Sequence, residues 1–347
     1  MLSIKHRLYC IFAARAVLFA VNNLRVYKLI PIKCIDDTHC RQARKFLFAT
    51  SSIFRFHVEY MYKAILGQGC FISFAKEGKT MIYNYYPGCT LSTKAKQLDM
   101  AARRCAEVLG FPLVELPEWQ CCGAVYPMAP DAIAERLSAV RALVAARANG
   151  GVLVTLCSAC YHVIKRVNHD MATNADIRRK VNNYLQLEEP YAGETQVLHY
   201  LEVLRDEVGW EKLAQLVSHP LKERRVGAYY GCMLLRPGAV LALDDVESPT
   251  IMEKLIKALG AEPVMYSMRN ECCGGYLALE NKAQCELLVS EIKANAASCG
   301  AQELVTACPL CAYNLTANDA AGGVPTRYFT ELLAEALGVA GGEGGAE

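Results

Sequence analysis

From residue 81 onward, short apolar runs alternate with longer stretches whose apolar positions recur every three or four residues. The runs are brief, rich in β-branched or aromatic residues and bounded by Gly, Pro or polar positions, so they read as strands. β-rich runs at 82–89 and 226–232 each end in a Gly-Cys turn. Further strands are expected over 112–116 and 152–156, and again over 263–266 and 304–306. Helical periodicity predicts helices over 94–109 and 131–149 in the first half, and over 249–259 and 281–299 in the second. This order implies βαβ units and parallel sheets. The expected fold is therefore α/β, in two tandem repeats, each a small, mostly parallel sheet flanked by helices.

The repeat is visible in the residues themselves. IYNYYPGC at 82–89 matches VGAYYGC at 226–232, WQCCG at 119–123 matches NECCG at 270–274, and VLVTLCSACY at 152–161 matches LVTACPLCAY at 304–313. Such self-similarity marks a duplicated supersecondary unit. Between the copies, 161–225 is polar and helical in pattern, with an amphipathic helix opening at His199.

Cysteine placement changes the picture from fold to chemistry. The first copy carries Cys89, the adjacent pair Cys121 and Cys122, then Cys157 and Cys160. The second carries Cys232, the pair Cys272 and Cys273, then Cys308 and Cys311. In both copies 34 residues separate the pair from the CxxC. Each cysteine segment follows a strand, and the carboxyl ends of parallel strands form the ligand crevice of such sheets. Five sulfurs per repeat are thus expected to converge on one edge. A thioredoxin-like CxxC would not account for the adjacent pairs, and a zinc ion needs four ligands where five are offered. Iron–sulfur clusters suit the count better, with zinc in one repeat as the remaining alternative. Gly88, Gly231, Gly123 and Gly274 flank the ligands, and Pro87 and Pro309 are expected to stiffen their loops.

Other candidates are weaker. Cys105, Cys285 and Cys299 fall on helix faces and are read as buried apolar side chains. His162 lies two residues after the first CxxC and is either an ordinary helix-start histidine or within reach of a cluster or substrate. Arg236, before Pro237-Gly238, is either a surface arginine or one that attracts an anionic substrate at the cluster mouth. No glycine-rich phosphate loop or Ser/His/Asp arrangement is present.

Composition narrows the class. Of 347 residues, 53% are apolar and the mean hydropathy is +0.14, yet no run approaches the roughly 18 uncharged apolar residues of a membrane span. The core is ample, so 17 cysteines speak for metal or redox use in a reducing cytoplasm rather than a disulfide scaffold. Residues 1–80 hold 13 Lys/Arg and 4 Asp/Glu, while the remainder is mildly acidic and has no basic stripe, so nucleic-acid binding is not expected. The charged start and apolar run of this segment resemble a signal peptide, but Arg15 interrupts the run. It is read as a basic extension, with the working protein starting at Met81. Cys10, Cys34, Cys40 and Cys70 have no ligand spacing. The Gly-rich tail 338–347 is expected to be disordered.

The duplicated Cys-Cys-Gly and CxxC arrangement, with YPGCT at 86–90 and YYGCMLLRPG at 229–238, resembles the B subunit of heterodisulfide reductase and its cysteine-rich CCG domains. The resemblance spans about 82–335. It implies a first CCG domain with a helical connection over 81–225 and a second over 226–337. It also implies two non-cubane 4Fe-4S clusters, one held by Cys89, Cys121, Cys122, Cys157 and Cys160, the other by Cys232, Cys272, Cys273, Cys308 and Cys311. Members of that family cleave a disulfide lying between the clusters, of the CoB-CoM type or an analogue. They draw electrons from the ferredoxin-like (C) and flavin-bearing (A) subunits of heterodisulfide reductase. On this resemblance the protein is cytoplasmic, and any membrane contact is made through its partners. The competing expectations are an iron–sulfur subunit of a lactate or glycolate oxidase, and a metal-binding scaffold without catalysis.

Overall fold

A computed structural model describes residues 83–124 and 131–340. The extension 1–80 and the tail from 341 onward lie outside the described residues. Those described all belong to the unit Thr80–Glu347.

The chain first builds β1 (Tyr83–Tyr86), α1 (Gly88–Ser92), α2 (Lys96–Leu109), β2 (Leu113–Glu115), α3 (Ala134–Ala148), β3 (Val152–Thr155), α4 (Ser158–Thr173), α5 (Ala175–Leu185) and β4 (Gln196–His199). α6 (Tyr200–Val203) runs into a π-helical turn at Leu204–Val208, and α7 (Trp210–Leu216) closes the first half. The second half repeats the plan with β5 (Arg225–Tyr229), α8 (Gly238–Leu241), α9 (Ile251–Ala258), β6 (Glu262–Val264), α10 (Lys282–Ser298), β7 (Glu303–Thr306), α11 (Pro309–Ala317), β8 (Thr326–Tyr328) and α12 (Phe329–Ala336).

The strands form two parallel four-stranded sheets of identical order, β2-β1-β3-β4 and β6-β5-β7-β8. β1 and β7 are buried along their whole length, as strands covered by helices on both faces must be. The fourth strand of each sheet is an addition to the three expected. β4 is QVLH and β8 is TRY, too short and too polar to stand out beside the helical stretches around them. Their repeat signal lies in the corner after each. His199-Tyr-Leu-Glu and Tyr328-Phe-Thr-Glu are matching strand-to-helix corners, where Glu202 and Glu331 each accept the backbone N–H of the first residue, both at 2.7 Å. A glutamate reaching back over the first turn satisfies an amide that the helix leaves unpaired.

The halves share one core. Phe329 packs edge-on against Tyr200, whose ring also meets Phe111. α12 lies on α2, and Thr330 donates to the Leu98 carbonyl at 3.0 Å. Reciprocally, α7 packs against α9. At the centre, the Tyr328 hydroxyl donates to the carbonyl of Leu156 at 2.6 Å, while His199 Nε2 lies 2.9 Å from the same oxygen. The Leu201 N–H donates to His199 Nδ1, so this ring is the neutral Nε2–H tautomer. Burial holds its pKa down to about 4.

This last feature gives a pH dependence with a definite sign. Above pH 6.5 the ring is neutral in the folded and unfolded chain alike. As pH falls, the unfolded chain takes up the proton first, so stability drops, by roughly 1 kcal/mol at pH 6 and roughly 3 below pH 4. Thermal unfolding between pH 8 and 6 should show this slope, and His199→Asn should flatten it.

Candidate functional site

All ten cysteines singled out from the sequence lie beyond the carboxyl ends of the strands, on the loops there or, for Cys89, Cys160 and Cys311, in the first turns of the helices that follow. β1 runs through Pro87-Gly88 to Cys89, β3 through Leu156 to Cys157, and β5 and β7 likewise to Cys232 and Cys308. The adjacent pairs come from the loops after β2 and β6. Thirteen cysteines fall among the described residues and every one is a free thiol.

Both repeats place their sulfurs alike. Cys89 Sγ lies 3.6 Å from Cys121 Sγ, and Cys122 Sγ lies 3.5 Å from Cys160 Sγ. The matching separations are 3.8 Å for Cys232 and Cys272 and 3.6 Å for Cys273 and Cys311. The lone cysteine is half-buried, the first of the pair exposed and the other three buried, in each repeat. One cavity is lined by Cys89, Cys121, Cys122, Cys157 and Cys160, and a second by Cys232, Cys272, Cys273, Cys308 and Cys311. Leu310 lines both. The N–H and hydroxyl of Ser158 both donate to the Ala307 carbonyl, and Cys157 and Cys308 shift each other's protonation, so the two sets adjoin through the first cysteine of each CxxC.

The loops are pinned by a shared device. The hydroxyl of Tyr86 donates to the carbonyl of Gln120, and that of Tyr229 to the carbonyl of Glu271, at 2.7 Å in the second case. Each acceptor immediately precedes the cysteine pair, so a strand-end tyrosine fixes the pair over the sheet. Gly88 and Gly231 let the backbone pass close to the sulfurs. Their φ angles are +76° and +64°, and a Cβ would stand 2.6 Å from Cys160 Sγ at the first and 3.3 Å from Cys311 Sγ at the second. Beneath the second loop, Arg269 accepts the N–H of Tyr230 on its carbonyl at 2.7 Å while its guanidinium pairs with buried Glu253 at 2.6 Å.

The thiols share protons unequally. Contact with Cys121 and Cys160 lowers the Cys122 thiol, and contact with Cys232 lowers that of Cys272. Cys308 is lowered by Cys157, whose own thiol is raised. The Gly274 N–H also donates to Cys272 Sγ at 3.4 Å. Thiolates are the form that ligates metal, and metal replaces the remaining protons. Two sulfurs sharing a tetrahedral metal with bonds of about 2.3 Å stand about 3.8 Å apart, which the four close pairs match. Among the described residues, no three His, Cys, Asp or Glu side chains gather as one metal ion requires. Paired sulfurs spread around a cavity suit a cluster of several metals better than a single zinc ion.

The other candidates fall elsewhere. His162 Nδ1 lies 3.2 Å from the Met233 carbonyl and its Nε2 3.2 Å from Arg166, outside both cavities. Burial lowers its pKa. Arg236 bonds the Asn270 carbonyl and pairs with Glu247, also outside both cavities. Cys105 and Cys285 are buried as expected, but Cys299 is exposed, because it caps α10 instead of facing the core. The sequence reading missed Leu310, Tyr86, Tyr229 and Tyr276. The tyrosine pins were legible as the matching Tyr two residues before each Gly-Cys.

Residues 83–165 and 226–316 match the family model described as a cysteine-rich CCG domain. The chain is 31% identical, over 74% of its length and 92% of the relative's, to a Wolinella succinogenes protein named 8-methylmenaquinol:fumarate reductase membrane anchor subunit. A Methanosarcina acetivorans relative, named as the B subunit of ferredoxin/F(420)H(2)-dependent CoB-CoM heterodisulfide reductase, is 28% identical over 76% of this chain and 91% of its own length. A crystal structure of a hypothetical protein from Helicobacter pylori matches with a TM-score of 0.59 at 14% identity. That match covers 83% of this chain but only 55% of the solved one, and bears on the fold alone. The chain belongs to the family of heterodisulfide reductase B subunits, with two cysteine-rich CCG domains.

If the glycine clearance governs metal loading, Gly88→Ala should remove about half of the bound iron, by emptying the first set. Gly231→Ala, with more room, should remove less. Iron and acid-labile sulfide per folded chain provide the check.

Proposed function

We propose that this chain is the disulfide-cleaving subunit of a multi-subunit redox complex and carries a four-iron cluster in each repeat. Cys89, Cys121, Cys122, Cys157 and Cys160 would hold one cluster, and Cys232, Cys272, Cys273, Cys308 and Cys311 the other. The observation that carries this reading is the meeting of two complete five-cysteine sets at Cys157 and Cys308, with Leu310 common to both cavities. A substrate at that junction would face both sets at once.

The reaction is R–S–S–R′ plus two electrons and two protons, giving two thiols as the S–S bond breaks. When bound, the two clusters supply one electron each. The protein's part is to fix their positions on rigid strand ends and to keep water from the inner sulfurs. The electrons would come from ferredoxin-like and flavin-bearing partner subunits, as the heterodisulfide reductase relatives suggest.

A second reading is an electron-relay subunit of a quinol-linked complex, as the name of the Wolinella relative suggests. The exposed apolar residues Leu277, Leu279 and Leu287 favour it. No helix among the described residues is long and apolar enough to cross a membrane.

Anaerobically purified chain should contain about eight irons and about eight sulfides, with an EPR signal that changes when a thiol is added. Iron indifferent to thiols would contradict the reductase reading and leave the relay.

A further inference from the structure

The two cavities differ although their cysteines match. The first measures about 20 Å³ and the second about 230 Å³. Besides its five cysteines, the second is walled by Met233, Tyr276, Ala278, Leu279, Leu310 and Tyr313, among others. No Lys, Arg, His, Asp or Glu among the described residues lines it.

The polar groups in its wall are mostly committed. Ser158 donates to Ala307, Tyr230 to Glu253 and Tyr276 to Ala124, while the Asn314 amide donates to Cys273 and its oxygen accepts from Asn318. The nearby cation Arg236 is held by Glu247 outside the cavity. A ligand bearing a sulfonate, carboxylate or phosphate here would lose its hydration and find no opposite charge.

We propose that the second cavity selects an uncharged, apolar ligand, which on the disulfide-cleaving reading is one half of the disulfide. That reading supplies the identity of the ligand, while the charge and polarity preference rests on the wall alone.

The test is an EPR titration of the anaerobically purified, iron-loaded full chain with ligands of similar size and different charge. The probes are 1-butanethiol, 2-mercaptoethanesulfonate, 2-mercaptoethylamine and a short-chain naphthoquinone. The uncharged thiol should half-saturate at a concentration about 100-fold below that of the sulfonate, equivalent to about 3 kcal/mol. Ala278→Lys and the solvent-facing Leu279→Lys should each shrink that ratio about tenfold without changing iron content. Equal response to all three thiols would overturn the inference and leave the reductase reading standing. A response to the naphthoquinone and to none of the thiols would support the apolar preference and overturn the reductase reading. Preference for the sulfonate, or no response to any probe, would overturn the inference.

Discussion

The placement of the two cysteine sets depends on a small hydrogen-bonded crossing at the centre of the shared core. The segments leading into the two CxxC loops meet there. Ser158, just after Cys157, donates from its N–H and its hydroxyl to the carbonyl of Ala307, just before Cys308. Tyr328 and His199, the last residues of the two outermost strands, both reach the carbonyl of Leu156. Buried polar groups of this kind are costly when unpaired and rigid when fully paired. The crossing therefore fixes Cys157 against Cys308 and, through them, one five-cysteine set against the other.

Duplication explains the matching parts, and departures from it explain the chemistry. The strand order, the tyrosine pins, the glycine clearances and the sulfur pairings recur in both repeats. The cavities do not. The second is the larger and opens to an apolar mouth. Two matched five-cysteine sets thus lie beside two unlike cavities.

Much of this was legible in the sequence, for physical reasons that differ by feature. The ligand sets stood out because adjacent cysteines followed by glycine are rare and were duplicated at the same spacing. The six strands β1, β2, β3, β5, β6 and β7 were read from short apolar runs, which are strongest in the inner strands that helices cover on both faces. β4 and β8 escaped because Gln196-Val-Leu-His and Thr326-Arg-Tyr begin polar and form no apolar run, although His199-Tyr-Leu-Glu and Tyr328-Phe-Thr-Glu repeat the corner after each. Cys299 was misjudged since the last turn of a helix rotates away from its buried stripe. The unequal cavities could not be read at all. They arise where Leu310, Tyr276 and Tyr313 come together from separate segments, and no spacing along the chain records that meeting.

The central claim is that two adjoining cysteine sets each hold an iron–sulfur cluster. A crystal structure of the anaerobically purified chain, with anomalous scattering measured at the iron edge, tests it most directly. The account predicts iron in both cavities, on either side of the contact between Cys157 and Cys308. Iron in one cavity only, or a single zinc ion in either, would contradict it.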